Sequence, residues 1–424
     1  MKPKVHKLKN GMSAILVPQK GAESMTLFVL VKVGSRYETR PINGASHFIE
    51  HLMFKGTEKR PNTEAISREL DRYGAEYNAY TDKDITAYYI KMDAAKTALA
   101  VDMLYDMLFH SKYDPVEIER ERGVIIEEIN MYEDNPRMHV DDLVEEELFP
   151  DSTLGWNIAG PRENIRKVSR DELIAYRDAY YIPRRMTVVM AGKVSPDALK
   201  MLDKTFGSVT RPAGHDKRFD VFKAPKRLRH ATGLQNKATE QVQFAMSFHG
   251  LKMQDPRLPA AGLLSTIMGG TMSSRLFIQI RERRGLCYSI NSGHQAREDV
   301  GLFTILAGLD KTRMPEAIKA IIHELKDVAK NGITDEELKR AKDNIRGRVT
   351  LAFEDSAAQA EWYGKDWLFR GRVETPEERM RRFAKVTKQD VQKLAKQIFD
   401  PAHMATAVIG PYRTKDQVQK MIRW

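Results

Sequence analysis

Two stretches of this sequence match each other at a fixed spacing, and that duplication constrains the fold more than anything else in it. Val168-Ser169-Arg170-Asp171-Glu172-Leu173 corresponds to Val386-Thr387-Lys388-Gln389-Asp390-Val391, and Val386 stands 218 residues after Val168. A proline follows each valine by fifteen residues (Pro183, Pro401), a methionine comes three later (Met186, Met404), and a glycine six after that (Gly192, Gly410). The register holds without a gap, as a duplicated unit would. Before each proline the pattern reads as a helix capped by Ser169 or Thr387, and after each methionine as a strand. Looser matches join Glu69–Tyr80 to Arg281–Ser292, each a helix end, a glycine and a strand. Asp114-Pro115-Val116-Glu117 likewise matches Thr334-Asp335-Glu336-Glu337, both with capping-box chemistry.

A chain of 424 residues exceeds one ordinary core. The expectation is an α+β protein of two homologous domains, each a mostly antiparallel sheet with helices on one face. The division runs 1–210, a loop-like linker at 211–219, and 220–424. The leading strands, Met12–Pro18 and Met25–Val33, look compatible with antiparallel pairing across a polar turn.

Composition excludes several classes. Hydrophobic residues are 42 % and charged residues 30 %, a soluble globular profile. No apolar run approaches the roughly 20 residues that span a bilayer, and the basic N-terminus lacks a signal-like apolar stretch. The expectation is a cytoplasmic protein that does not engage membranes. The net charge of +11 is spread along helix-like segments among acids, with no nucleic-acid motif, so no nucleic-acid partner is expected. Cys287 is the only cysteine, so no intrachain disulfide can form; its apolar flanks suggest a small core residue.

The chemistry concentrates in His47-Phe48-Ile49-Glu50-His51, within an apolar helix-like segment closed by Gly56. Residues four apart share a helix face, so both imidazoles can converge on one ion. Glu50 is near them but rotated away, where a general base could hold water. The plain alternative is two satisfied histidines on an ordinary helix. A third ligand is available from Ile118–Tyr132, which reads as a helix carrying Glu121, Val124, Ile125, Glu128 and Tyr132 on one face. Two acids on a face meant for burial need a partner or a metal. Glu128 is the candidate ligand and Glu121 the acid that would hydrogen-bond a ligating imidazole. Alternatively both pair with Arg120 or Arg122. His110 and His139 are further possible ligands, each without a partner at helical spacing.

The inverted motif, with Glu128 the seventy-seventh residue after His51, resembles the pitrilysin-insulysin family of zinc metallopeptidases, the inverzincins of peptidase family M16. It looks most like the half-length branch that includes the catalytic subunit of the mitochondrial processing peptidase and bacterial relatives. Gly44-Ala45-Ser46, Leu52–Thr57, Asn78–Thr81, Gly269–Phe277 and Arg281–Tyr288 carry the likeness, which covers essentially the whole chain. The resemblance implies one zinc per chain on His47, His51 and Glu128, with Glu50 as base and Glu121 behind the ligands. It implies that Asn78-Ala79-Tyr80 pairs with a peptide substrate's backbone, and that Arg281 and Tyr288 bind substrate and stabilise the tetrahedral intermediate. Outside the resemblance these two read as a helix-surface Arg and a core Tyr. The expected activity is a zinc-dependent endopeptidase acting on peptides or short unfolded segments inside a dimeric chamber; the rival is a non-catalytic scaffold subunit of the same fold. No long glycine-rich loop of the kind carried by the processing peptidase's other subunit is present. That favours a homodimer, with Arg281 and Tyr288 acting in trans. Asp141-Asp142 and Glu145-Glu146-Glu147 could line an acidic cavity or simply face solvent.

Overall fold

Strand-forming and helix-forming runs alternate through both halves, and the computed structural model, which describes residues 3–211, 219–228 and 231–424, resolves them into two sheets. The first contains β1 (Lys4–Lys7), β2 (Ser13–Pro18), β3 (Ser24–Val31), β4 (Glu76–Thr81), β5 (Thr86–Asp93) and β6 (Met186–Gly192), in the order β1-β2-β6-β3-β5-β4. The second contains β7 (Thr232–Asn236), β8 (Gln241–Gly250), β9 (Cys287–Ala296), β10 (Gly301–Asp310) and β11 (Met404–Gly410), in the order β7-β11-β8-β10-β9. Each sheet is antiparallel apart from one parallel pair, β2 with β6 and β7 with β11. Without β1, the two orders are the same.

The duplication is visible residue by residue. Helices Arg170–Tyr180 and Lys388–Ile398, like β6 and β11, lie 218 residues apart at both ends. Ser169 and Thr387 each close a reciprocal capping box, with Glu172 and Asp390. Thr334 and Glu337 also bond reciprocally. Asp114 does not complete its box: it caps Val116 N–H, while Glu117 pairs with Arg120. In the hairpins, Tyr80 faces Ala87 and Ser292 faces Ile305. Ile305 stands 218 residues after Ala87 but Ser292 only 212 after Tyr80, so the second hairpin is the longer.

The leading strands β2 and β3 are not neighbours. β6, from the end of the same half, lies between them, parallel to β2 and antiparallel to β3. Helices gather over one face of each sheet. In the first, Leu27, Val29 and Val31 share a core with Phe48, Ile49, Leu104, Leu108 and Tyr176. Yet β3 reads M-T-L-F-V-L-V from Met25 and is buried on both faces, the mark of a doubly covered strand. The second face receives helix Ser356–Arg370. Thr26 Oγ1 lies 2.8 Å from Ser356 Oγ, and Gly364 packs so closely that a Cβ there would lie 2.5 Å from Leu30 Cδ1. The second sheet is covered likewise: Val140, Val144 and Leu148 of helix Pro136–Leu148 pack on Ala245, Ala405, Ala407 and Ile409.

These two helices explain the units into which the chain divides. One comprises Met1–Ile129, Asn157–Phe219 and Thr350–Thr375; the other Asn130–Trp156, Asp220–Val349 and Pro376–Trp424. The units therefore depart from contiguous stretches 1–210 and 220–424, because each half contributes its equivalent helix to the other half's sheet. Of the linker read at 211–219, residues 212–218 lie outside the described residues. No helix among the described residues is long and apolar enough to cross a membrane.

Candidate metal centre

Helix Ala45–Leu52 has two turns, and Phe48, Ile49 and Leu52 bury one side of it in the first core. His47 and His51 emerge on the other side, four residues apart, toward helix Pro115–Asp134. That helix buries Ile118, Glu121, Ile125 and Ile129 and brings Glu128 alongside the imidazoles. Val124, read as part of the buried face, is 50 % exposed because the helical period carries it to the rim.

Three donor atoms converge. His47 Nε2 and His51 Nε2 are 3.1 Å apart, and Glu128 Oε2 lies 3.5 and 3.4 Å from them. An ion bound at about 2.0–2.2 Å with tetrahedral angles holds its donors about 3.3–3.6 Å apart. The triangle is therefore close to one face of a tetrahedron around a zinc-sized ion, with the fourth corner left for another ligand. It is the one such cluster of His, Cys, Asp and Glu found among the described residues. His51 Nδ1 is 2.8 Å from Glu121 Oε1, which fixes the ring so that Nε2 faces the cluster. Lys55 Nζ takes the other Glu121 oxygen at 2.6 Å. The arginine alternative fails: Arg120 pairs with Glu117 and Arg122 with Glu119, leaving Glu121 and Glu128 to the histidines.

The two imidazoles are shifted in opposite directions. Burial and the neighbouring His51 charge push His47 down to about 4. Burial also opposes charge on His51, but its hydrogen bonds to the Glu121 and Glu128 carboxylates outweigh that and push the ring up to about 9. The His51 bond holds Glu128 below the usual carboxylate range. Burial opposes charge on Glu121, but His51 and Lys55 together hold it low as well. A ligating imidazole must release its proton to the solvent. Were zinc held by this triangle, its apparent affinity would rise by up to roughly tenfold per pH unit below about 9 as His51's proton is displaced, and then flatten. Chelator competition at several pH values checks this; a flat profile would count against ligation by His51.

Glu50 is rotated away from the donor triangle. Burial raises its pKa, and Thr81 Oγ1 donates to Glu50 Oε2 at 2.6 Å. Thr81 ends β4, whose other side bears no strand among the described residues. Asn78, Ala79 and Tyr80 thus lie on an open edge beside the histidine helix, and Tyr80 is anchored by donating to Glu361 Oε1 at 2.7 Å. Arg281 and Tyr288 belong to the other unit. Arg281 lies on a π-helical turn, Phe277–Glu282, with its guanidinium 5.6 Å from the Tyr288 ring. Tyr288 is 71 % exposed, so the core-tyrosine alternative does not hold.

The remaining candidates have ordinary surroundings. His110 Nδ1 is 3.7 Å from Asp106 and half exposed; His139 Nδ1 is 4.0 Å from Asp142. Cys287 is a core residue whose thiol burial pushes up to about 11. Glu147 is paired with Lys415 at 2.8 Å. Two positioning contacts had no counterpart in the sequence reading. Thr81 orients Glu50, and Glu38 accepts from backbone amides at the start of the histidine helix.

Known proteins resemble this chain in sequence and in fold. Residues 14–162 match the family described as Insulinase (Peptidase family M16), and residues 167–345 match the Peptidase M16 inactive domain. An uncharacterized zinc protease of Bacillus subtilis is 35 % identical over 406 residues, covering 95 % of this chain and 97 % of the relative. One from Streptomyces coelicolor is 34 % identical over 415 residues, covering 96 % and 89 %. Among solved structures, a protease from Helicobacter pylori superimposes with a TM-score of 0.90 at 22 % identity, covering 97 % of this chain and 99 % of that one. A peptidase M16 inactive domain from Pseudomonas fluorescens gives 0.89 at 17 %, covering 98 % and 99 %.

Proposed function

The chain belongs to the insulinase family of peptidases, family M16, and from that premise we propose that it is a zinc-dependent endopeptidase cleaving peptides or short unfolded segments. The observation that carries this reading is the donor triangle of His47, His51 and Glu128, with a partly buried carboxylate, Glu50, beside it. Zinc held there would supply Lewis acidity, polarising both a water molecule and the scissile carbonyl.

The chain's own residues do the rest. Glu50, its pKa raised and its carboxylate held by Thr81, takes a proton from the attacking water as the new C–O bond forms. It then returns the proton to the amine nitrogen as the C–N bond breaks. Glu121 keeps His51 oriented throughout. The open edge of β4 at Asn78, Ala79 and Tyr80 accepts the substrate backbone as an added strand. Arg281 and Tyr288 grip the substrate, and the Tyr288 hydroxyl donates to the oxyanion on the scissile carbonyl. They do so across a homodimer that encloses the site. A scaffold subunit has no need of a complete donor set, and here all three donors and Glu50 stand together.

The test is metal analysis joined to activity. The purified protein is expected to hold about one zinc per chain. A strong chelator is expected to abolish cleavage of an unfolded peptide, and added zinc to restore it. Undiminished cleavage in chelator would rule the reading out.

A further inference from the structure

A two-turn helix is aimed by whatever grips its ends, and both imidazoles ride on one. Its C-terminal end is held by Glu121, which bonds His51 Nδ1 at 2.8 Å and Lys55 Nζ at 2.6 Å. At the N-terminal end the capping residue is Gly44, with φ of +104° and no side chain to cap anything. A larger residue is barred there, since a Cβ would lie 2.5 Å from Ala159 O and 2.7 Å from Ile165 Cδ1. The first amides of a helix must still find acceptors.

Two of them, on Gly44 and Ser46, find theirs in Glu38, six residues before the cap. Its Oε1 accepts from Ser46 N–H at 2.7 Å; its Oε2 accepts from Gly44 N–H at 2.8 Å and Asn43 Nδ2 at 2.9 Å. Glu38 is 4 % exposed, and burial opposes its charge. The hydrogen bonds and the positive end of the helix offset part of that cost. Ser46 is tied a second time, Oγ to Tyr176 hydroxyl at 3.0 Å, and Tyr176 donates to Gly34 O at 3.2 Å. Ser46 immediately precedes His47, so the Glu38 bonds fix where the first imidazole starts.

We infer that Glu38 is a positioning residue for the metal site, holding the histidine helix at the pitch that brings His47 Nε2 and His51 Nε2 together. The inference rests on the zinc reading above. Glu38→Gln replaces two acceptor oxygens by one and turns an NH2 toward a backbone N–H. The helix then tilts or slides to recover an acceptor, and the donor triangle opens. Groups that hydrogen-bond a ligand directly typically govern metal affinity by about 10–100-fold, and Glu38, which acts through the helix backbone, is expected to reach the lower end of that range.

The experiment measures zinc affinity per folded molecule by chelator competition, below the melting temperature of each protein. The set is wild type, Glu38→Gln, Asn43→Ala, His47→Ala, and Ile398→Ala as a destabilised control in the other unit's core. Glu38→Gln is expected to bind zinc about 10-fold more weakly. Asn43→Ala, which removes one donor to Glu38, should show a smaller loss, and Ile398→Ala none. Cobalt in place of zinc should show altered visible bands in Glu38→Gln, a change in geometry that lost stability alone does not produce. Wild-type zinc affinity in Glu38→Gln overturns the inference. If that variant does not fold, wild-type affinity in Asn43→Ala overturns it instead. A wild type that binds no zinc, or a His47→Ala protein that binds it undiminished, removes the zinc reading itself and the inference with it.

Discussion

Glu50→Gln is expected to lower peptide cleavage by about 10²–10⁴-fold while zinc stays bound. The amide keeps the shape of the carboxylate, and its oxygen still accepts from Thr81 Oγ1. What it loses is the capacity to take a proton from water, and Glu50 lies outside the donor triangle. Glu128→Gln is the complement. It replaces one of three ligands by a neutral, weaker amide oxygen and removes the negative charge that offsets the ion's, so zinc content should fall together with activity. Metal analysis and peptide kinetics on the two proteins separate the roles. If Glu50→Gln strips the metal while Glu128→Gln retains it, the assignments are reversed.

Much of the fold could be read from local signals because the duplication supplied each of them twice. Ser169 and Thr387, Pro183 and Pro401, Met186 and Met404 mark cap, helix end and strand start at one spacing, and the elements begin and end there. Strand order was not legible. β2 and β3 are joined by a short turn, yet β6, which arrives more than a hundred residues later, lies between them. Nothing local in either strand reports that pairing. The run from Met25 to Val31 did carry a sign of burial on both faces, as an uninterrupted apolar strand does. It could not reveal that the covering helix, Ser356–Arg370, comes from the other half.

The site divides the same way. His47 and His51 are four apart on a helix, so sequence spacing is sufficient to place them on one face. Glu128 and Glu121 were narrowed by the cost of burying acids, and the structure places both against the histidines. Glu38 could not be found, because its partners are backbone amides and any residue at 46 would present the same N–H. Thr81 was hidden for a related reason: strand and helix meet only in the folded chain. Tyr288 shows the opposite difficulty. A tyrosine beside the apolar-flanked Cys287 suggests a core position, yet Cys287 is buried and alternation turns the tyrosine outward.

Mixing two inactive variants is expected to restore cleavage, and this is the sharpest test of the proposed assembly. The histidine helix and the Arg281–Tyr288 pair belong to different compact units of the chain. In the family this chain resembles, the arginine-tyrosine pair acts from the half opposite the zinc. A half-length chain would obtain that arrangement by two-fold pairing, each subunit completing the other's site. Glu50→Gln lacks the base but keeps the pair. Arg281→Ala/Tyr288→Phe lacks the pair but keeps zinc and base. Each alone should be nearly inactive. In a hybrid dimer, the second chain's zinc site would receive Arg281 and Tyr288 from the first, so one of two sites is whole. Random exchange of equal amounts makes half the dimers hybrid, so about one quarter of wild-type activity should return. Were the pair to act within its own chain, every site in the mixture would still carry a defect and none would return. Hybrid formation is verified by a tag on one variant, followed by capture and peptide kinetics on the captured dimers. Inactive hybrids, once captured, would eliminate the shared site and leave the two units of a single chain to complete it.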